Sequence, residues 1–197
     1  MELREVVRRR RMVRRFDPRP LPGEVLDRIL HSATRGPSAG FSQGLDLLVL
    51  EGPEVVRGFW RATSDPRFTR PYSTADPPVI VLVLSDKQAY LDRYGAPDKA
   101  GLGMDVERGW PVPYWDMDAA MAVMLMLLTA VDEGVGAWWF GVFHGADRLL
   151  DDLGVPAGRR LVGAVALGYP APGERPGGSS RTRSRRPFDE VVHRGRW

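Results

Sequence analysis

Arginine is the side chain through which this sequence can do chemistry most directly. Eight arginines fall within residues 1–20, against Glu2, Glu5 and Asp17, and six fall within residues 181–197, against Asp189 and Glu190. The two ends therefore carry +5 and +4, while the whole chain carries only +3, so the stretch between them is acidic. A guanidinium fork matches phosphate oxygens bidentately, and arginines converging from both ends would make a site for a small phosphate-bearing molecule. Two other readings stand beside this one. The ends could be solvated tails, or a nucleic-acid patch, which the acidic middle argues against. Lysine is confined to Lys87 and Lys99, an arginine bias that a GC-rich genome also produces.

Other reactive types are scarce. The chain has no cysteine, which excludes disulfides, thiolate nucleophiles, zinc–thiolate sites and iron–sulfur clusters. His31, His144 and His193 are too widely spaced for a histidine metal site, and no metal is expected. Asp132-Glu133 and Asp151-Asp152 read as solvated helix surface. Gly101-Leu102-Gly103 and Gly134-Val135-Gly136 do not complete a GxGxxG fingerprint, and no P-loop or GxSxG elbow occurs. Any redox or transfer chemistry is therefore expected from a bound cofactor.

The elements that must position these residues follow from spacing. Glu2 to Arg11 reads as a short basic helix, followed by a stiff connector in which Pro18, Pro20 and Pro22 alternate with other residues. Val25, Leu26, Ile29, Leu30 and Ala33 recur at helical spacing, and Gly36-Pro37-Ser38-Ala39-Gly40 is a turn-rich loop. Leu45 to Leu50 predicts a strand, and Pro53 opens a helix through Trp60. The continuous apolar run Val79 to Leu84 predicts a strand buried on both faces. Residues 85–115 lack clear periodicity but hold Tyr90, Tyr94, Trp110, Tyr114 and Trp115, the composition of a variable lid. Asp116 to Glu133 predicts a helix with Asp116 and Asp118 at the positive end of its dipole and Gly134 beyond its end. Its middle is apolar on every face, so it must be covered all round, centrally or between subunits. Trp138 to Phe143 and Leu161 to Leu167 predict strands, with a short helix at Asp147 to Leu153 between them. Pro170 to Ser180 is a linker before an Arg-rich arm at 181–197.

With 197 residues, 43% hydrophobic and 27% charged, the chain is long enough for one domain with a full core. Helices and strands mix without a βαβ repeat, which predicts an α+β fold. The run Ala119 to Val131 is shorter than the roughly 20 residues a membrane helix needs, and no apolar segment of a signal peptide follows the arginines. A cytoplasmic protein is expected.

Four segments, in order, resemble the FMN-dependent nitroreductase-like flavoproteins. Arg10-Arg11-Met12-Val13-Arg14-Arg15-Phe16, with the later Pro20-Leu21-Pro22, is similar to that family's R-R-S-x-R-x-F opening and its proline step. Gly36-Pro37-Ser38-Ala39-Gly40-Phe41-Ser42-Gln43 resembles its A-P-S-x-x-N-x-Q segment. Residues 134–141, ending in Trp138-Trp139-Phe140-Gly141, resemble G-L-G-x-x-W-I-G, and Arg183-Ser184-Arg185-Arg186-Pro187 resembles the closing K/R-x-R-x-P arm.

The resemblance implies one domain over residues 1–197, with a mainly antiparallel sheet flanked by helices, in an intertwined homodimer with two FMN sites at the subunit interface. It implies cofactor contacts at Arg10, Arg11, Met12, Arg14, Pro37, Ser38, Ala39, Gly40, Phe41, Trp139, Phe140, Gly141, Arg183 and Arg185. Among these, Arg10, Arg14, Arg183 and Arg185 would hold the phosphate and ribityl chain. The Pro37 to Gly40 loop would serve the partner's flavin ring, and the Gly141 N–H would lie near flavin N5, needing no acid side chain. Phe41, Tyr94, Trp110, Tyr114 and Trp115 would line the acceptor pocket, where exchanging Trp115 would change acceptor preference. The implied activity is transfer of hydride from NADH or NADPH through FMN to an electron-poor acceptor such as a nitroaromatic or a quinone. Two residues depart from the family pattern and make the flavin surroundings more apolar: Met12 stands for serine and Phe41 for asparagine. Arg70 falls, by spacing, near another usual asparagine. The departures keep open a variant chemistry on the same fold, such as dehydrogenation, dehalogenation or flavin fragmentation, and the basic ends keep open a non-catalytic flavin- or nucleic-acid-binding role.

Overall fold

Successive side chains of a strand face opposite sides of a sheet, and an apolar run on both faces requires two covering layers. The computed structural model, which describes residues 1–65, 77–175 and 177–197, has that arrangement. In chain order the elements are α1 (Leu3–Arg9), α2 (Gly23–Ala33), β1 (Leu45–Glu51), α3 (Pro53–Thr63), β2 (Val79–Asp86), α4 (Lys87–Gly95), α5 (Tyr114–Asp132), β3 (Gly136–Phe140), α6 (Ala146–Asp152) and β4 (Arg159–Gly168). The sheet order is β1-β2-β4-β3, with every neighbouring pair antiparallel. This is the α+β fold expected.

On β2, Val79, Val81 and Val83 join a core with α2 and α5, while Ile80 and Leu82 join another with Phe16, Val56, Phe59 and Leu149. The alternation along β2 thus sorts one apolar run between two helical layers. Helix α5 ends in a Schellman closure: Val135 N–H donates to Ala130 O at 2.7 Å and Gly134 N–H to Val131 O at 3.1 Å, with Gly134 at φ 70°. By length and composition alone α5 would suffice to cross a membrane. Instead Ala119, Ala122, Val123, Met126, Leu127 and Ala130 are buried against α2 and the sheet. Its opposite face leaves Met117, Met121 and Met124 exposed in the single chain.

The structure corrects several sequence expectations. The first helix stops at Arg9, and the third strand is Gly136–Phe140 rather than 138–143. Residues 85–115, expected to be irregular, contain the helix α4. Asp86 caps α4, its side chain accepting from Gln88 N–H at 2.9 Å, and short 3-10 turns follow at Pro97–Lys99 and Glu107–Gly109. Tyr90, Trp110 and Trp115 form a small core of their own, with Trp110 Nε1 donating to Met104 O at 2.7 Å.

Candidate functional site

Residues 10–17 leave α1 as an extended arm along the β3 edge. Val13 N–H donates to Ala137 O at 2.9 Å and Asp17 N–H to Tyr169 O at 2.8 Å, while Ala171 N–H returns to Arg15 O at 3.0 Å. Glycine at 136 lets the two segments approach, because a Cβ there would stand 2.8 Å from Val13 Cγ1 and force one of them to shift. The arm therefore packs onto the strand that follows α5, and the segment leaving β4 runs beside it. The N-terminal arm and the linker that leads to the Arg-rich C-terminal segment are thereby side by side. Arg14 Nη1 donates to Gly177 O at 3.3 Å, and its guanidinium lies 5.7 Å from the Trp138 ring centre.

The arginines of this arm are not equivalent. Arg11 is paired with Glu174, whose side chain is only 3% exposed. The same carboxylate accepts from Arg14 N–H at 3.3 Å. Among the described residues Arg10, Arg183 and Arg185 have no carboxylate partner, which leaves their charge available to an anion. Arg183 and Arg185 are exposed on the arm beyond the Ser179–Arg181 turn. Met12 does more than remove a hydroxyl: its Sδ accepts the Trp139 N–H at 3.4 Å. Phe140 stacks on Trp60 at 5.4 Å, and Gly141 lies exposed just beyond the last β3–β4 pair, Phe140 with Ala164.

A second cluster lies on the β1 edge. Gly40, Phe41 and Gln43 adopt φ values of 59°, 57° and 54°. The two non-glycine residues hold strain on the order of 1 kcal/mol or more each, which persists only where the surroundings over-determine it. Those surroundings are specific. Ala39 N–H donates to Asp118 Oδ2 at 2.8 Å, Gln43 N–H to Ser38 Oγ at 2.8 Å, and Arg93 Nε to Gly40 O at 2.9 Å. The Tyr94 ring covers Gly40 so closely that a Cβ there would sit 2.7 Å from it. Pro37, Ser38, Phe41, Tyr90 and Asp118 help line a cleft of about 160 Å3. Burial pushes the Tyr90 hydroxyl up from its ordinary range, Ser38 opposing and Asp118 adding to the shift. Phe41 projects with 74% of its surface exposed.

The residues expected to line an acceptor pocket divide. Phe41, Tyr94 and Tyr114 keep exposed surface, whereas Trp110 and Trp115 are buried in the small core with Tyr90. Truncating Trp115 would open that core, so its effect extends beyond acceptor preference. Arg70 lies outside the described residues. Sequence reasoning missed Asp118, taking it for a helix-dipole residue. The available signal was its helical spacing from Trp115 and Ala122, both on the buried face.

The family model for the nitroreductase family matches residues 7–169, spanning the arm, the loop and the whole sheet. The chain belongs to the nitroreductase family. A protein of Methanothermobacter thermautotrophicus named as an NADH dehydrogenase/NAD(P)H nitroreductase is 27% identical, the match covering 100% of this chain and 88% of that protein. An NADH dehydrogenase of Thermus thermophilus is 28% identical over 83% of this chain and 84% of its own length. A nitroreductase from Desulfovibrio desulfuricans, solved in complex with FMN, superposes with a TM-score of 0.70 at 27% identity, covering 98% of this chain and 95% of that one. A nitroreductase family protein from Clostridium difficile gives 0.73 at 20% identity over the whole of both chains, a likeness of fold.

In this nitroreductase-family chain the two clusters occupy opposite edges of the sheet. The arginine arm and Gly141 belong to the β3 edge, and the strained loop belongs to the β1 edge. Three inter-strand spacings separate those edges, roughly 14 Å of backbone.

Proposed function

We propose that the chain is an FMN-dependent NAD(P)H oxidoreductase that works as a homodimer, each FMN lying between one copy's β3 edge and the other copy's β1-edge loop. The separation of the two clusters carries this reading, because a single chain holds them on opposite edges of its sheet. The exposed methionines of α5 supply an apolar face for a second copy, and they support the same assembly.

The donor set fits the cofactor. Arg10, Arg183 and Arg185, without carboxylate partners among the described residues, would offer guanidinium forks for the phosphate. Arg14, tied to Gly177 O and stacked near Trp138, would hold the ribityl side and fix the arm's register. Gly141 would offer its backbone N–H toward N5. The chemistry that bound FMN supplies is hydride transfer at N5 from NADH or NADPH to an electron-poor acceptor such as a nitroaromatic or a quinone. Pro37, Ser38, Ala39 and Gly40 would pack beside the partner copy's ring and exclude water from it. Phe41 would present an apolar wall to the acceptor, with Tyr94 and Tyr114 behind it. Protons can come from solvent, so no side-chain acid is assigned.

Steady-state kinetics test this reading. NADH or NADPH oxidation should require an acceptor such as a quinone and should give parallel double-reciprocal lines, since donor and acceptor occupy the same site in turn. Intersecting lines, or no turnover with either nicotinamide by an FMN-loaded dimer, would count against it.

A further inference from the structure

Asp118 is an expensive residue where it stands. Between Asp116 and Asp132, α5 carries no other charged side chain. Asp118 is 6% exposed, on the face that holds Trp115, Ala119 and Ala122. A buried carboxylate persists only where its oxygens are hydrogen-bonded. Here a single oxygen, Oδ2, accepts both the Tyr90 O–H and the Ala39 N–H, each at 2.8 Å. Among the described residues no cation pairs with Asp118. Its charge therefore strengthens two neutral donors, one on α4 and one on the loop.

We propose that Asp118, seconded by Tyr90, is a positioning residue for the 36–43 loop, fixing the left-handed geometry in which that loop meets the flavin of the partner copy. The inference rests on the FMN reading above. Ala39 immediately precedes Gly40, the first of the three left-handed residues, so anchoring its N–H sets where that geometry begins. Gln43 N–H on Ser38 Oγ closes the far end, and Arg93 on Gly40 O holds the middle. The first anchor alone ends on a buried side chain, Asp118, so it gains most from low polarity and excluded water. Burial keeps Tyr90 neutral, and so it remains a donor to Oδ2. An apolar side chain at 118 would suit the surrounding core better. Asp118 is kept at the cost of that packing, and its reach to the loop amide is what it adds.

Hydrogen exchange on the purified protein, read together with FMN titration by fluorescence quenching, tests this. Asp118→Leu should speed exchange of amides 39–43 by about tenfold and weaken FMN by a similar factor, the loss of one charge-assisted hydrogen bond. The apoprotein melting temperature should fall modestly, because the buried Tyr90 O–H loses its acceptor, so the decisive readout is that the faster exchange stays confined to amides 39–43. Asp118→Asn keeps an acceptor oxygen and should stay close to wild type in both readouts. Unchanged exchange in 39–43 would overturn the proposal, as would exchange rising equally along α5. If Asp118→Leu does not fold, Tyr90→Phe carries the test: faster exchange confined to the loop supports it, and unchanged exchange overturns it. A wild-type protein that takes up no FMN would defeat the cofactor reading, while the exchange experiment would still judge the role of Asp118.

Discussion

Arg10 and Arg11 are adjacent, identical in type and equally basic in the sequence, yet their replacements should fail in opposite ways. Arg11 neutralises Glu174, a carboxylate with 3% exposure, while Arg11 itself is 34% exposed. Removing one partner of a fully buried pair costs about 3–5 kcal/mol, and partial solvent access at Arg11 reduces this to about 2 kcal/mol. For a domain of this size that corresponds to a fall of roughly 4–8 °C in melting temperature. Arg10 has no carboxylate partner among the described residues, so Arg10→Ala should leave apoprotein stability within about 0.5 kcal/mol. On the proposed site it should lose one charge-assisted contact to the phosphate, worth about 1.5–3 kcal/mol, or a weakening of FMN by about 10- to 150-fold. Melting each apoprotein and then titrating it with FMN separates the two effects. The reasoning is refuted if Arg10→Ala binds FMN as tightly as wild type while Arg11→Ala loses FMN with its melting temperature intact.

Other outcomes follow from the same geometry. For the proposed dimer, Met121→Glu, which places a charge on the exposed face of α5, should raise the dissociation constant by at least about 100-fold, read by sedimentation at micromolar concentration. Gly136→Ala drives a Cβ to 2.8 Å from Val13 and should cost about 1–3 kcal/mol by overpacking; adding Val13→Ala should recover much of the lost melting temperature. Tyr90 is held protonated when folded but ionises near its ordinary value of 10.0 when unfolded. Its raised folded value contributes stability that is present below pH 10.0 and lost as pH rises above it. Tyr90→Phe should accordingly make alkaline unfolding less steep in a pH series followed by circular dichroism.

How much could be read from the sequence depended on how local the determining forces were. The strand β2 was evident because six apolar residues in a row have one economical fate, a central strand between two layers. Helix α5 was evident from its length and its Gly134 terminus. Helix α4 was missed because it buries little beyond Tyr90, and no apolar stripe marks it; its one local sign was Asp86 at the cap. That the N-terminal arm lies beside the 171–177 linker was not legible from charge, because the contacts are backbone hydrogen bonds and one ion pair with Glu174. Nor was it legible which arginines stay free, because Arg11 is neutralised by Glu174, 163 residues away. Asp118 was misread for the same reason: its partners come from the 36–43 loop and from α4, and only the fold brings them to one oxygen. Trp110 and Trp115 looked like pocket aromatics, yet Tyr90 draws both into a core.

The cofactor assignment is tested most directly by the visible spectrum of the purified protein, taken before and after heat release of any bound pigment, with FMN added back to the apoprotein. The account predicts flavin absorption bands, FMN in the supernatant at close to one per chain, and uptake of added FMN by a dimer. A colourless, folded dimer that refuses added FMN would contradict it and would turn the free arginines toward another phosphate-bearing ligand.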